Sequence, residues 1–173
     1  MNKWSYYYDK GIEFKMEGKF QESAEYHLKV IEMEPHIRVP EVWHNAGAAL
    51  LRINEDEKAV PYLEKAIDEY TKWAKLTDKA DYYTFWKSCC YALLKDKESM
   101  LEALKECFDL NDAYARDAQS EEDFEAYFED EDFKNLIEPI IHKIEMLTFR
   151  GKSLEKGDCS PEQLKWRATF IEL

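Results

Sequence analysis

An all-α fold assembled from repeated helix pairs is the class this 173-residue sequence predicts, on three observations. Glycine and proline number only 5 each. Average usage of about 12% would supply roughly twice as many, so turns are few and long elements carry the chain. Apolar residues return at three- and four-residue steps, the period of amphipathic helices. Gly11 and Gly47 stand 36 residues apart in similar surroundings, a spacing typical of helical-repeat arrays.

The elements follow in order. Trp4-x6-Gly11-x2-Phe14-x3-Gly18-x-Phe20 leads into Ser23-Ala24 and ends at Met33-Glu34-Pro35, a first helix pair. Pro40 opens the next helix, since a first-turn amide is unpaired anyway. Trp43, Gly47 and Leu50 then lead through Ala59, Leu63, Ala66 and Ile67. Asn54-Glu55-Asp56-Glu57 reads as a cap followed three residues later by a carboxylate. Pro61 falls inside the second helix of this pair, where a kink or an irregular first turn is expected. That helix runs long, through Tyr70, Trp73 and Leu76, until Thr77-Asp78 breaks it. A third, degenerate pair spans Asp81 to Tyr114, with Ser88 at the small position and Met100, Leu104, Cys107 and Leu110 following. Gly11, Gly47 and Ser88 have a mechanical role: a bulkier side chain where the two helices of a pair meet would push them apart. One pair cannot cover its own apolar face, so the array must stack and its last pair needs a cap.

Beyond the pairs the texture changes. Glu121 to Asp132 holds eight carboxylates and no base, with Phe124, Tyr127 and Phe128 at helical spacing. Phe133, Leu136, Ile137, Ile140, Ile141, Ile144 and Leu147 form one helical stripe, interrupted in hydrogen bonding at Pro139. Arg150 to Asp158 reads as a loop. Ser160-Pro161-Glu162-Gln163 then signals a final helix to about Glu172.

Trp43, Ala46-Gly47, Leu50, Ala59, Leu63 and Ala66, with Gly11, Phe14, Gly18, Phe20 and Pro35 in the first pair, resemble the tetratricopeptide repeat (TPR) family. The resemblance implies a right-handed superhelix of three helix-turn-helix pairs at about 4–37, 40–73 and 81–114, together 1–114. Residues 115–173 follow as an acidic connector and C-terminal capping helices, packed as one unit with the repeats. This extension is similar to the end-of-group segment of bacterial TPR proteins. A concave surface lined by the first helix of each pair is also implied, where a peptide or helix of another protein lies. Its residues would be Tyr8, Ile12 and Lys15, then Glu41, His44, Asn45, Ala48 and Arg52, then Tyr82, Phe85, Trp86 and Cys89. Alternatively the chain's own last helix, with Trp166, Phe170 and Leu173 on one stripe, fills it. The carboxylate clamp of chaperone-binding TPR domains is not reproduced. Asn45 matches it, whereas Tyr8, Ile12, Tyr82 and Trp86 replace its other members.

Charge narrows the partners. Asp plus Glu number 37 against 24 Lys plus Arg, a net −13. Such a body repels phosphate backbones and anionic lipid heads, so no nucleic acid or membrane partner is expected, and a basic protein is a plausible one. The start of the chain lacks the apolar stretch of a signal peptide. No uncharged stretch approaches membrane length, and four cysteines without C-x-x-C spacing read as free thiols. A cytoplasmic protein is expected. The acidic run is either a solvated face of a capping helix or a docking face for a basic enzyme, using Glu121, Glu122, Glu125, Glu129, Asp130 and Glu131. His27, His36, His44 and His142 are dispersed. No metal site, cofactor or catalytic constellation is expected. The sequence thus predicts a non-enzymatic protein–protein interaction module, an adaptor with a concave groove. The alternative is an acidic inhibitor of the immunity type, docking a basic enzyme through 121–132. Oligomeric state is left open.

Overall fold

The structure, a computed structural model, describes residues 3–156. Within them lie eight α-helices, one 3-10 helix and no strand. The pairs are α1 (Lys3–Met16) with α2 (Phe20–Met33), α3 (Pro40–Arg52) with α4 (Asp56–Leu76), and α5 (Ala80–Leu93) with α6 (Lys97–Leu110). A short α7 (Tyr114–Ala118), the 3-10 helix Glu122–Tyr127 and α8 (Glu131–Lys156) follow. Each helix packs on the next from α1 to α6, and α3 also touches α1 and α5. The first helices therefore lie side by side along one face.

The three turns within the pairs share one backbone solution. Gly18, Asn54 and Lys95 adopt positive φ of 71°, 60° and 61°. In each turn the next amide donates to a carbonyl five residues back: Lys19 to Phe14 at 2.9 Å, Glu55 to Leu50 at 3.0 Å, Asp96 to Tyr91 at 3.0 Å. These bonds satisfy carbonyls left open at a helix end. Asn54 is thus not the expected side-chain cap. Glu55 precedes α4 without a side-chain cap bond, and Asn54 serves instead because asparagine tolerates the left-handed region. The helix is continuous across Pro61. Only one backbone bond is lost there, and packing of Ala59, Leu63 and Ala66 holds the turn.

The small positions behave as the spacing implies. A Cβ on Gly11 would stand 2.7 Å from the His27 ring, and one on Gly47 would stand 2.6 Å from Leu63 Cγ. Ser88 is fully buried at the third site. Spacing between these sites grows from 36 residues to 41, and α4 absorbs the excess with 21 residues against 14 in α2 and α6. Two indoles tie the α2–α3 loop to this pair: Trp43 Nε1 donates to the Ile37 carbonyl at 3.0 Å and Trp73 Nε1 to that of Arg38 at 2.8 Å.

One buried cluster runs from Phe85, Met100 and Leu104 of the third pair through Phe124 to Phe133, Ile137 and Ile141 of α8. That cluster caps the open end of the array. The stripe on α8 is buried only at its start, since Leu147 is 55% exposed. The helix passes both Pro139 and Gly151 and reaches Lys156, so 150–156 is helical rather than the expected loop. A single glycine costs a helix only about 1 kcal/mol. The expected final helix after Ser160 lies outside the described residues.

Candidate functional site

A cavity of about 550 Å³ opens on the face of the first helices. From α1 it takes Tyr8, Ile12, Lys15 and Met16, from α3 Glu41, His44 and Asn45, and from α5 Tyr82 and Trp86. Tyr70 of α4 contributes, and Ser120, Glu121 and Glu122 of the connector form the far wall. The volume lies within the range of about 300–1,000 Å³ usual for ligand sites.

Beneath the wall, Asp123 points into the stack. Its Oδ2 lies 2.8 Å from His44 Nε2, and both side chains are only 5% exposed. His44 Nδ1 is 3.3 Å from the Tyr70 hydroxyl. Burial works against an imidazolium here, yet Cys90 and Asp123 together hold His44 above its ordinary value. Burial likewise opposes an ionised Asp123, but the charge and hydrogen bond of His44 keep that carboxyl below its usual range. The pair is ionic, and it staples the connector to the array. Phe124 follows it into the core, its ring centroid 5.9 Å from that of Phe85.

The phenols around the mouth stand in a negative field. Tyr82 donates to Glu41 Oε1 at 3.1 Å, and burial plus the Glu41 charge raise its pKa. Burial and Glu41 likewise push Tyr8 up to about 12, opposed by a hydrogen bond with Asn45. The Glu121 carboxyl is raised by burial and by neighbouring Asp123. Nothing in this arrangement activates a nucleophile. Cys89 is fully buried rather than groove-facing, and burial lifts its thiol well above the ordinary value. Among the described residues no group of three His, Cys, Asp or Glu side chains is placed to hold a metal ion.

Of the expected groove residues, Tyr8, Ile12, Lys15, Glu41, His44, Asn45, Tyr82 and Trp86 converge on the cavity. Four do not. Ala48 and Cys89 are buried. Phe85 is 2% exposed, because Tyr114 stacks on it at 4.9 Å between centroids and Phe124 covers its edge. Arg52 sits over the Phe20 ring and reaches Glu122 and Glu125 at 3.6 Å, so it braces the connector from outside. His44 is 4% exposed and committed to Asp123, a positioning residue of the floor.

The acidic run resolves into separate local roles. Glu121 and Glu122 line the cavity, and Glu125 pairs with Arg52. Glu129 pairs with Lys134. Asp130 meets Lys97 at 2.6 Å and accepts the amides of Asp132 and Phe133 at the start of α8. Glu131 is exposed in the first turn of that helix. Sequence reasoning did not foresee Tyr70, Met16 and Ser120 in the lining, nor the His44–Asp123 bond. No local pattern signals a contact spanning 79 residues. The groove-filling expected of Trp166, Phe170 and Leu173 lies outside the described residues.

Stacked helix pairs with a shared face of first helices and a cavity on it define a helical-repeat protein of the interaction class. Residues 40–70 and 83–114 match the tetratricopeptide repeat family model, which covers the second and third pairs. Those two pairs are tetratricopeptide repeats, and such repeats generally mediate binding to other proteins. No curated protein sequence matches it. Among the described residues no helix is long and apolar enough to cross a membrane.

Proposed function

We propose that this protein is a small cytoplasmic adaptor, without catalytic activity, that holds a peptide or helix of another protein in the cavity on its concave face. One observation carries the reading. Side chains from α1, α3 and α5, chosen by repeat position, converge on a single cavity of about 550 Å³. Its lining mixes aromatic, aliphatic and charged groups, which suits a segment with apolar contacts and polar anchors.

The test is capture of partner proteins from native lysate by wild type and by a Tyr8→Ala/Ile12→Ala variant. Both residues are partly exposed on α1, so helicity by circular dichroism should stay unchanged while partner capture is lost. Capture that survives the double substitution refutes the reading. Phe85→Ala is not a suitable probe, because truncating a buried aromatic costs about 3–5 kcal/mol of stability in its own right.

A further inference from the structure

We propose that the cavity is built for a cationic anchor, the guanidinium or ammonium of an arginine or lysine in the partner's docking segment. That side chain would lodge between Glu41 and Glu121 against the rings of Tyr8, Tyr82 and Trp86. The proposal rests on the groove reading and specifies its ligand.

Charge balance inside the cavity is the first support. Glu41, Glu121 and Glu122 line it against Lys15 alone, while the floor pair His44–Asp123 cancels internally. Glu122 is already shared with Arg52 outside the cavity. Glu41 and Glu121 have no such partner among the described residues. Glu41 is held by a phenol, Tyr82, at 3.1 Å, and that hydrogen bond orients the carboxylate without neutralising it. Glu121 is half-buried beside the like charge of Asp123. A ligand cation would relieve both, and charge-assisted hydrogen bonds are among the stronger contacts open to it.

The walls are the second support. Tyr8, Tyr82 and Trp86 are partly exposed, and the Tyr82 and Trp86 rings stand edge to face with centroids 6.2 Å apart. Aromatic faces attract a cation, arginine most often. The apolar stem of an arginine or lysine needs cover as well, and Ile12 and Met16 supply it at the α1 end. Met16 is 84% exposed; its flexible thioether suits a contact that forms only with the ligand. An anionic segment would meet three carboxylates and one lysine. The net charge of −13 adds long-range steering of a basic segment.

The experiment pans a random twelve-residue display library on the full chain and resynthesises the enriched peptides for calorimetry. Enrichment of Arg or Lys flanked by apolar residues is expected. Affinity should fall about tenfold or more with Glu41→Gln/Glu121→Gln, and equally when norleucine replaces the basic residue. Glu129→Gln/Glu131→Gln, which removes the same charge outside the cavity, should leave affinity unchanged.

Basic peptides that bind both charge variants alike overturn the proposal, because capture by net charge explains them. Enriched peptides that need Tyr8 and Ile12 but carry no basic residue overturn it and leave the groove reading standing. If no enriched peptide depends on Tyr8 and Ile12, the groove reading falls and takes this proposal with it. The norleucine peptide keeps the test decisive even if the glutamine variant fails to fold.

Discussion

Replacing Asp123 with asparagine removes the charge from a contact that links residues 79 positions apart. The His44–Asp123 bond is 2.8 Å long and both side chains are 5% exposed. Breaking a buried ion pair by removing one partner costs about 3–5 kcal/mol. His44 can discharge to neutral imidazole and the asparagine amide can keep one hydrogen bond, so the loss should fall at or just below the bottom of that range, about 2–3 kcal/mol.

The pH dependence follows from two opposite shifts. His44 is raised from 6.5 to about 10. Its stabilisation is therefore full below 6.5 and is lost as pH rises towards the folded value. Asp123 is lowered from 3.8. Its contribution is present above 3.8 and is lost as pH falls through the lower folded value. The gap between wild type and Asp123→Asn should thus be widest near pH ~5.5 and narrow towards pH ~9.5. Guanidinium unfolding followed by far-ultraviolet circular dichroism at several pH values measures it. A gap below about 1 kcal/mol near pH ~5.5, or one that does not narrow in alkali, refutes the ionic staple.

Two further outcomes are expected. His27 is buried with both ring nitrogens unpartnered, and burial, then Lys15 and His44, pushes it down to about 4. Wild-type stability should therefore decline as pH falls from 6.5 towards 4, and His27→Leu should reduce that decline in the same unfolding assay; an identical acid limb counts against the reading. At the turns, Lys95 is exposed with φ of 61° and Gly18 has φ of 71°. Lys95→Gly should therefore raise, and Gly18→Ala lower, stability by about 1 kcal/mol each. Melting temperatures that do not move in opposite directions contradict the shared turn geometry.

The repeat frame was legible because its causes are local. Gly11, Gly47 and Ser88 mark close helix approaches, and the turn residues Gly18, Asn54 and Lys95 each follow seven residues later. Thr77-Asp78 marked the end of the long α4, with Thr77 as its cap. Where local reading failed, a neighbouring helix or a weaker penalty decided. Pro61 read as a kink or an irregular first turn and Gly151 as part of a loop, but α4 and α8 run on through them, since one lost bond or one flexible residue costs a helix only a little. Asn54 looked like a cap because asparagine serves both N-caps and left-handed turns, and only the backbone angle tells them apart.

The sequence by itself determined the helix pairs, their phase and the first-helix side chains that face one cavity, because helical period and family spacing are local properties of the chain. Which of those side chains remain accessible was decided by tertiary structure alone. The connector returns across the third pair, buries Phe85 under Phe124 and binds His44 through Asp123. It also brings Glu121 and Glu122 into the wall of the cavity. A run of carboxylates carries no local sign of where it will fold back, since that depends on a buried histidine far away in sequence and on an aromatic core that must be covered.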